Sequence, residues 1–302
     1  MREMSPKRAS KEHDHHMHFF NRKSPEMFQI MNLEWLVEAV KIGLKITGMS
    51  KLAYRNALNV QVVEHEIYFP ELPAAFDGYT ILLMTDLHID GMPELQQVIH
   101  DLLDNISYDI CLLGGDYRFN VHGSTAPTTT AMAKLLEILC PRSKVVGVLG
   151  NHDHYEIGQA MESAGAQILM NENITISRGN DTINICGIDD CHYYGGQDLD
   201  QCLEGVNNDA FKILLTHSPE IYREAEEKKF NLLLAGHTHG GQLCLPGRFS
   251  IIFEANIPRS LGYSNWKYKS MQGYTSCGTG SSGTPARLNC PPEIALLTLR
   301  KK

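Results

Sequence analysis

The 302-residue chain contains no Cys-x-x-Cys pair among its eight cysteines, at positions 111, 140, 186, 191, 202, 244, 277 and 290. That absence excludes a thiolate zinc knuckle and a thioredoxin-type redox pair. Cys111 in Asp109-Ile110-Cys111-Leu112 and Cys186 in Asn184-Ile185-Cys186-Gly187 instead read as small buried hydrophobes, in the reduced form. A positive balance is missing too. Lys and Arg total 27 against 35 Asp and Glu, a formal charge of -8, which speaks against broad nucleic-acid binding but leaves room for a small basic pocket. No run reaches the roughly 18–20 apolar residues of a spanning helix. Nor does an apolar stretch near the start read as a signal peptide, so the expectation is a cytoplasmic protein.

What is present divides the chain in three. Residues 1–25 read as a disordered tail with His13, His15, His16 and His18. Such a cluster suits loose transition-metal binding or simple solvation, and the solvated tail is expected because nothing nearby completes a closed site. Residues 26–60 read as an amphipathic helical segment, with Phe28, Met31, Trp35, Ala39, Ile42 and Ile46 on one side over 27–46. Two readings stay open for it: an interfacial helix on the inner face of a membrane, or a helix packed on its own domain or a second subunit. Residues 61–302 form the main domain. Apolar runs at 79–85, 109–113, 144–149, 182–188, 212–216, 231–235 and 293–299 alternate with helical stretches at 92–103, 129–139 and 157–164. Buried strands separated by helices predict an α/β fold with covered sheets.

Five of these strands end in polar clusters: Thr85-Asp86-Leu87-His88, Gly114-Gly115-Asp116, Gly150-Asn151-His152-Asp153, Thr216-His217-Ser218 and Gly236-His237-Thr238-His239-Gly240-Gly241. Ligands gather beyond the carboxyl ends of strands in α/β folds, so the clusters converge on one site. On extended backbone Asp86 and His88 point the same way, as do His237 and His239. The glycines permit sharp turns and close approach. Imidazoles, carboxylates and one amide exceed the needs of a tetrahedral zinc site and suit two neighbouring divalent ions. A mixed nitrogen and oxygen set fits manganese, iron, zinc or cobalt. A single cluster is commonplace as a turn; five in order at strand ends are not.

Together these motifs resemble the calcineurin-like metallophosphoesterases over about residues 78–299, and the stretches Gly278-Thr279-Gly280, Arg287-Leu288-Asn289 and Pro292-Glu293-Ile294 are similar to a bacterial subgroup. That subgroup includes phosphodiesterases and pyrophosphatases acting on UDP-2,3-diacylglucosamine, an intermediate of lipid A synthesis. The resemblance implies a four-layer α/β/β/α sandwich of two mixed sheets flanked by helices, with the metal site at the strand carboxyl ends. It implies two divalent ions, manganese foremost. Asp86, His88, Asp116 and His239 would hold one, and Asp116, Asn151, His217 and His237 the other. His152 would be the general acid and Asp153 would orient its ring. Water activated between the ions would attack phosphorus without a covalent protein intermediate. The chain departs from the family at Phe119, where many relatives carry an acid. Arg118 or Asn120 is a candidate to replace it or to touch substrate.

The segment 245–274 interleaves Phe249, Ile251, Ile252, Phe253, Tyr263 and Trp266 with Arg248, Arg259, Lys267 and Lys269. It reads either as a receiver for acyl chains and a headgroup phosphate or as core with a solvated rim. The expected substrate is phosphorylated, small or lipid-linked, with a broad phosphomonoesterase or phosphodiesterase on soluble esters as the alternative. A scaffold without catalysis is disfavoured because the ligand and acid positions are all filled.

Overall fold

The structure, a computed structural model, describes residues 4–17 and 37–302 apart from Ile251. Strands β1 (Gln61–Phe69), β2 (Thr80–Met84), β3 (Ile110–Leu113), β4 (Lys144–Gly147), β5 (Gln167–Ile168) and β14 (Glu293–Lys301) form one sheet in the order β1-β14-β2-β3-β4-β5. All neighbours run parallel except β14 and β2. The second sheet runs β12 (Ser264–Tyr268), β13 (Met271–Thr275), β9 (Leu232–Ala235), β8 (Phe211–Leu215), β7 (Asp181–Gly187), β6 (Glu172–Arg178). Its outer pairs are antiparallel and its inner ones parallel. A small hairpin, β10 (Cys244–Leu245) with β11 (Phe249–Ser250), stands apart.

Alternation along the strands explains the layering, because successive side chains point to opposite faces. Ile81 and Leu83 of β2 join Ile213, Leu215, Leu232 and Leu234 in a core between the two sheets. Leu82 and Met84 point the other way, towards helices α4 (Leu95–Leu103), α5 (Ala126–Leu139) and α6 (Tyr155–Ser163). The helices meet them at helical spacing through Leu95, Ile99 and Leu103 and through Met132, Leu135, Leu136 and Leu139. Leu214 and Leu233 pack outward beneath α7 (Leu199–Cys202) and α8 (Tyr222–Glu227). The result is the expected α/β/β/α arrangement of two mixed sheets.

The amino-terminal expectations are revised in part. Residues 6–17, read from sequence as disordered tail, form helix α1 (Pro6–Met17), held by a fully buried Arg8. A basic residue in a polar run carries no periodic signal for such an anchor. Residues 18–25 of the tail, His18 among them, lie outside the described residues, as do positions 26–36 of the amphipathic segment, Trp35 among them. Its remainder forms helix α2 over residues 37–46, followed by α3 (Ser50–Leu58). Val40 and Leu44 pack with Ala53, Leu243 and Ala286, so this part of the segment docks on the domain. Ile42 and Ile46 remain 56% and 81% exposed. No helix among the described residues is long and apolar enough to cross a membrane.

Candidate metal centre

β2, β3 and β4 of one sheet and β8 and β9 of the other end side by side, and the five polar clusters meet there. The turns are laced together by backbone: Asp86 N–H donates to the Gly115 carbonyl (2.9 Å), His88 N–H to Asp116 (3.0 Å), and Gly236 N–H to His217 (2.9 Å). Gly150 makes this approach possible, since a Cβ there would lie 2.2 Å from Asp116 Oδ1.

One sequence argument does not survive. Asp86 and His88 are not on extended backbone, because β2 stops at Met84 and their φ angles are 50° and 39°. Asp116, His237 and His239 share this left-handed region, at 55°, 71° and 51°. Such angles in non-glycine residues cost about 1–3 kcal/mol each and gather at functional sites, where surrounding structure enforces them. Strained turns, rather than strand parity, aim these side chains inward.

All seven candidate ligands are brought together. Ligand atoms of Asp86, His88 and His239 fall in one group, those of Asp86, Asp116 and His217 in another, and those of His88, Asp116 and His152 in a third. Asn151 Oδ1 is 2.9 Å from His217 Nε2, and the His237 ring is 5.1 Å from that of His217. Asp116 stands between the groups, with Oδ1 3.4 Å from His217 and Oδ2 3.8 Å from both His88 and His152.

The electrostatics call for positive charge. His217 Nδ1 donates to the Gly114 carbonyl (2.9 Å), so its Nε2 faces two oxygen acceptors, Asn151 Oδ1 and Asp116 Oδ1. Burial opposes a charged ring, yet Asp116 pushes the His217 pKa up to about 10. Burial also opposes ionisation of Asp116, but His217 and His152 hold its carboxyl well below the usual range. Burial pushes Asp86 up to about 6 and His88 down to about 3. His88 Nδ1 donates to the Arg118 carbonyl (2.6 Å), so its Nε2 carries the lone pair, 3.2 Å from His239 Nε2. His237 Nε2 is buried with no hydrogen-bond partner. An orphaned buried nitrogen among carboxylates fits a site built for cations.

Asp153 does not do what the sequence suggested. Its carboxylate accepts from the backbone N–H groups of Asp116 (2.7 Å), Gly150 (2.9 Å) and Tyr117 (2.9 Å), and is spent on them. The His152 ring is instead held by the Phe119 carbonyl, 3.1 Å from Nδ1. Phe119, where the family resemblance led to the expectation of an acid, thus contributes a main-chain oxygen here. Arg118 replaces no acid: its guanidinium turns away and donates to the carbonyls of Val121 (3.3 Å) and Gly123 (2.6 Å). Asn120 is exposed.

Several residues were given no role at the centre by the sequence reading. Fully buried Arg287 donates to the carbonyls of His239 and Gly278, both at 3.2 Å, and to that of Gly280. The His192 ring lies 4.1 Å from the His237 ring, tilted by 48°, with Nδ1 2.9 Å from Glu220. Segment 245–274 divides between the two earlier readings. Leu261 and Trp266 join the core beneath the second sheet, while Ile252 and Glu254 line the pocket over the metal centre. Val37, Val40 and Leu243 form its apolar flank.

Residues 79–241 match the calcineurin-like phosphoesterase family. The chain belongs to that family and is a metal-site phosphoric ester hydrolase by class. Among its relatives are the uncharacterized metallophosphoesterase YkuE of Bacillus subtilis, 30% identical over 84% of this chain and 90% of YkuE, and the phosphodiesterase YaeI of Escherichia coli, 28% identical over 84% and 93%. A transmembrane protein with a metallophosphoesterase domain from Danio rerio is 28% identical over 80% of this chain, which spans 57% of that protein.

Proposed function

We propose that the chain hydrolyses a phosphodiester or pyrophosphate bond with two divalent cations, manganese foremost, held by Asp86, His88, Asp116 and His239 and by Asp116, Asn151, His217 and His237. The observation that carries this is the grouping of Asp86, His88, Asp116, His217 and His239 ligand atoms in one strained, buried centre that also holds the unpartnered His237 Nε2. When bound, the cations supply an activated water and neutralise the phosphoryl oxygens. The chain's own work is positioning. Asp116 spans both positions, and its backbone N–H is pinned by Asp153. His152 stands at the half-buried edge of the pocket. In the imidazolium form its Nδ1–H donates to Phe119 and its Nε2–H passes to the leaving oxygen.

The substrate we favour carries an apolar group, as UDP-2,3-diacylglucosamine does. Val37, Val40, Leu243 and Ile252 give the pocket an apolar side. On the same segment Ile42 and Ile46 are exposed beside Lys41 and Lys45, which suits peripheral contact with an anionic membrane at its inner face. The second reading is a general phosphodiesterase on soluble esters; the name of the Escherichia coli relative, a phosphodiesterase, supports phosphodiester hydrolysis in either reading.

The test is hydrolysis of bis(p-nitrophenyl) phosphate by chelated protein before and after Mn²⁺, with Asp116→Ala alongside. Restoration by Mn²⁺ and an inert variant are expected; an active variant would sink the dinuclear reading. UMP release from UDP-2,3-diacylglucosamine decides the substrate, and turnover of soluble diesters alone excludes the lipid.

A further inference from the structure

The described part of the amino-terminal region reaches the catalytic turn from behind. Arg8 of α1 is fully buried, with its guanidinium 3.9 Å over the Tyr194 ring. Nη1 pairs with Asp189 Oδ1 at 2.5 Å and Nε with Glu12 Oε1 at 2.8 Å. Nη2 donates to the Asp153 carbonyl. Glu12 Oε1 also accepts the backbone N–H of Tyr155, at 2.9 Å. One helix therefore grips the main chain on both sides of His154, directly after Asn151 and His152. The carboxylate of the same Asp153 holds the N–H groups of Gly150 and Asp116. Ser5 Oγ adds a 3.3 Å bond to Asp189 Oδ2.

We infer that Arg8 is a positioning residue for catalysis, fixing the 150–155 turn through Asp153 so that His152 meets the leaving oxygen. The inference rests on the acid role proposed for His152. Only arginine offers the planar fork that spans a carboxylate and a carbonyl at once. Removing it leaves Asp189 buried without its charge partner and frees the Asp153 carbonyl. Asn151 and His152 then gain slack of the size that matters for proton delivery.

The experiment compares Arg8→Ala and Arg8→Lys with the full-length wild type, loaded with Mn²⁺, on two methyl aryl phosphodiesters that differ only in leaving group, 4-nitrophenol or phenol. A poor leaving group needs the acid and a good one does not, so a positioning defect falls on the phenyl ester. Of the ~10²–10⁴-fold that a general acid contributes, Arg8→Ala is expected to forfeit roughly tenfold in kcat on the phenyl ester, with less change on the nitrophenyl ester and KM held. Arg8→Lys recovers part of it. Equal losses on both esters, or none, overturn the inference. A wild type that hydrolyses neither ester, with or without Mn²⁺, fails the proposed function instead. The inference is then read by deuterium exchange of metal-free protein: faster exchange confined to 150–156 in Arg8→Ala, smaller in Arg8→Lys, supports it, and unchanged protection there overturns it.

Discussion

The Nε2 atoms of His88 and His239 face each other across 3.2 Å, both rings buried. They come from different sheets, one after β2 and the other after β9. Arg287 Nη2 donates to His239 Nδ1 (3.2 Å), so His239 Nε2–H donates to His88 Nε2 here. With Asp86, 3.4 Å from His239, the two rings form a group that could hold a cation in place of that proton.

Cation binding is accordingly expected to stabilise the fold. At a hundredfold excess over Kd the gain is about 2.7 kcal/mol, seen as a rise in Tm when Mn²⁺ is added to chelated protein. His88→Ala should remove most of that rise. A variant whose Tm responds to Mn²⁺ as the wild type does would contradict the placement of His88.

Gly236 is required for lack of a side chain. A Cβ there would sit 2.2 Å from Asp86 Oδ2 and 2.6 Å from Thr85 Oγ1. Gly236→Ala should push Asp86 aside and lower kcat on the order of a hundredfold. Gly43→Ala, whose Cβ meets nothing within 4 Å, should leave kcat unchanged. Wild-type turnover by Gly236→Ala would show that Asp86 has freedom to spare.

Asp153→Ala should be costly for stability. It strands three backbone N–H groups now held at 2.7–2.9 Å, at about 1–3 kcal/mol for each buried donor left unpaired. Asp153→Asn keeps one acceptor oxygen and should fall between the two. Urea denaturation reads the order, and equal stability of wild type and Asp153→Ala would refute it.

Glu66 on β1 accepts from Tyr68 (2.5 Å) and from Arg300 (2.8 Å) of β14. These two bonds, Tyr68 first, lower its pKa. A lowered carboxyl contributes stability above its unfolded pKa and loses it as pH falls through the folded value. Glu66→Gln should therefore depress Tm at neutral pH, with the deficit closing in acid and kcat unaltered at every pH. A deficit that widens in acid would reverse the sign.

Much of the centre was legible because its parts are local. Each strand end carries its ligand within a few residues of an apolar run, as with Leu113 and Asp116 or Ala235 and His237, and helix periodicity marked α4 to α6. Arg8 and His192 were not legible, nor was the contact that Arg287 makes with the centre. Arg8 meets Asp153 across 145 positions and Arg287 meets His239 across 48, and neither lies in a periodic pattern. Asp153 misled for a related reason. Adjacency to His152 suggested a side-chain pair, whereas the turn directs its carboxylate to backbone donors of two loops.

The sequence by itself determined the α/β alternation and the polar clusters that meet at the strand ends, since these follow from strand period and motif order; a place for Asp116 between two cations was what the family resemblance implied. Tertiary structure alone decided how the candidate ligands are aimed. Left-handed angles at Asp86, His88, Asp116, His237 and His239 are affordable only where packed neighbours enforce them. It also decided that α1 closes the back of the catalytic turn, because a buried guanidinium finds its partners through folding and not through proximity in the chain.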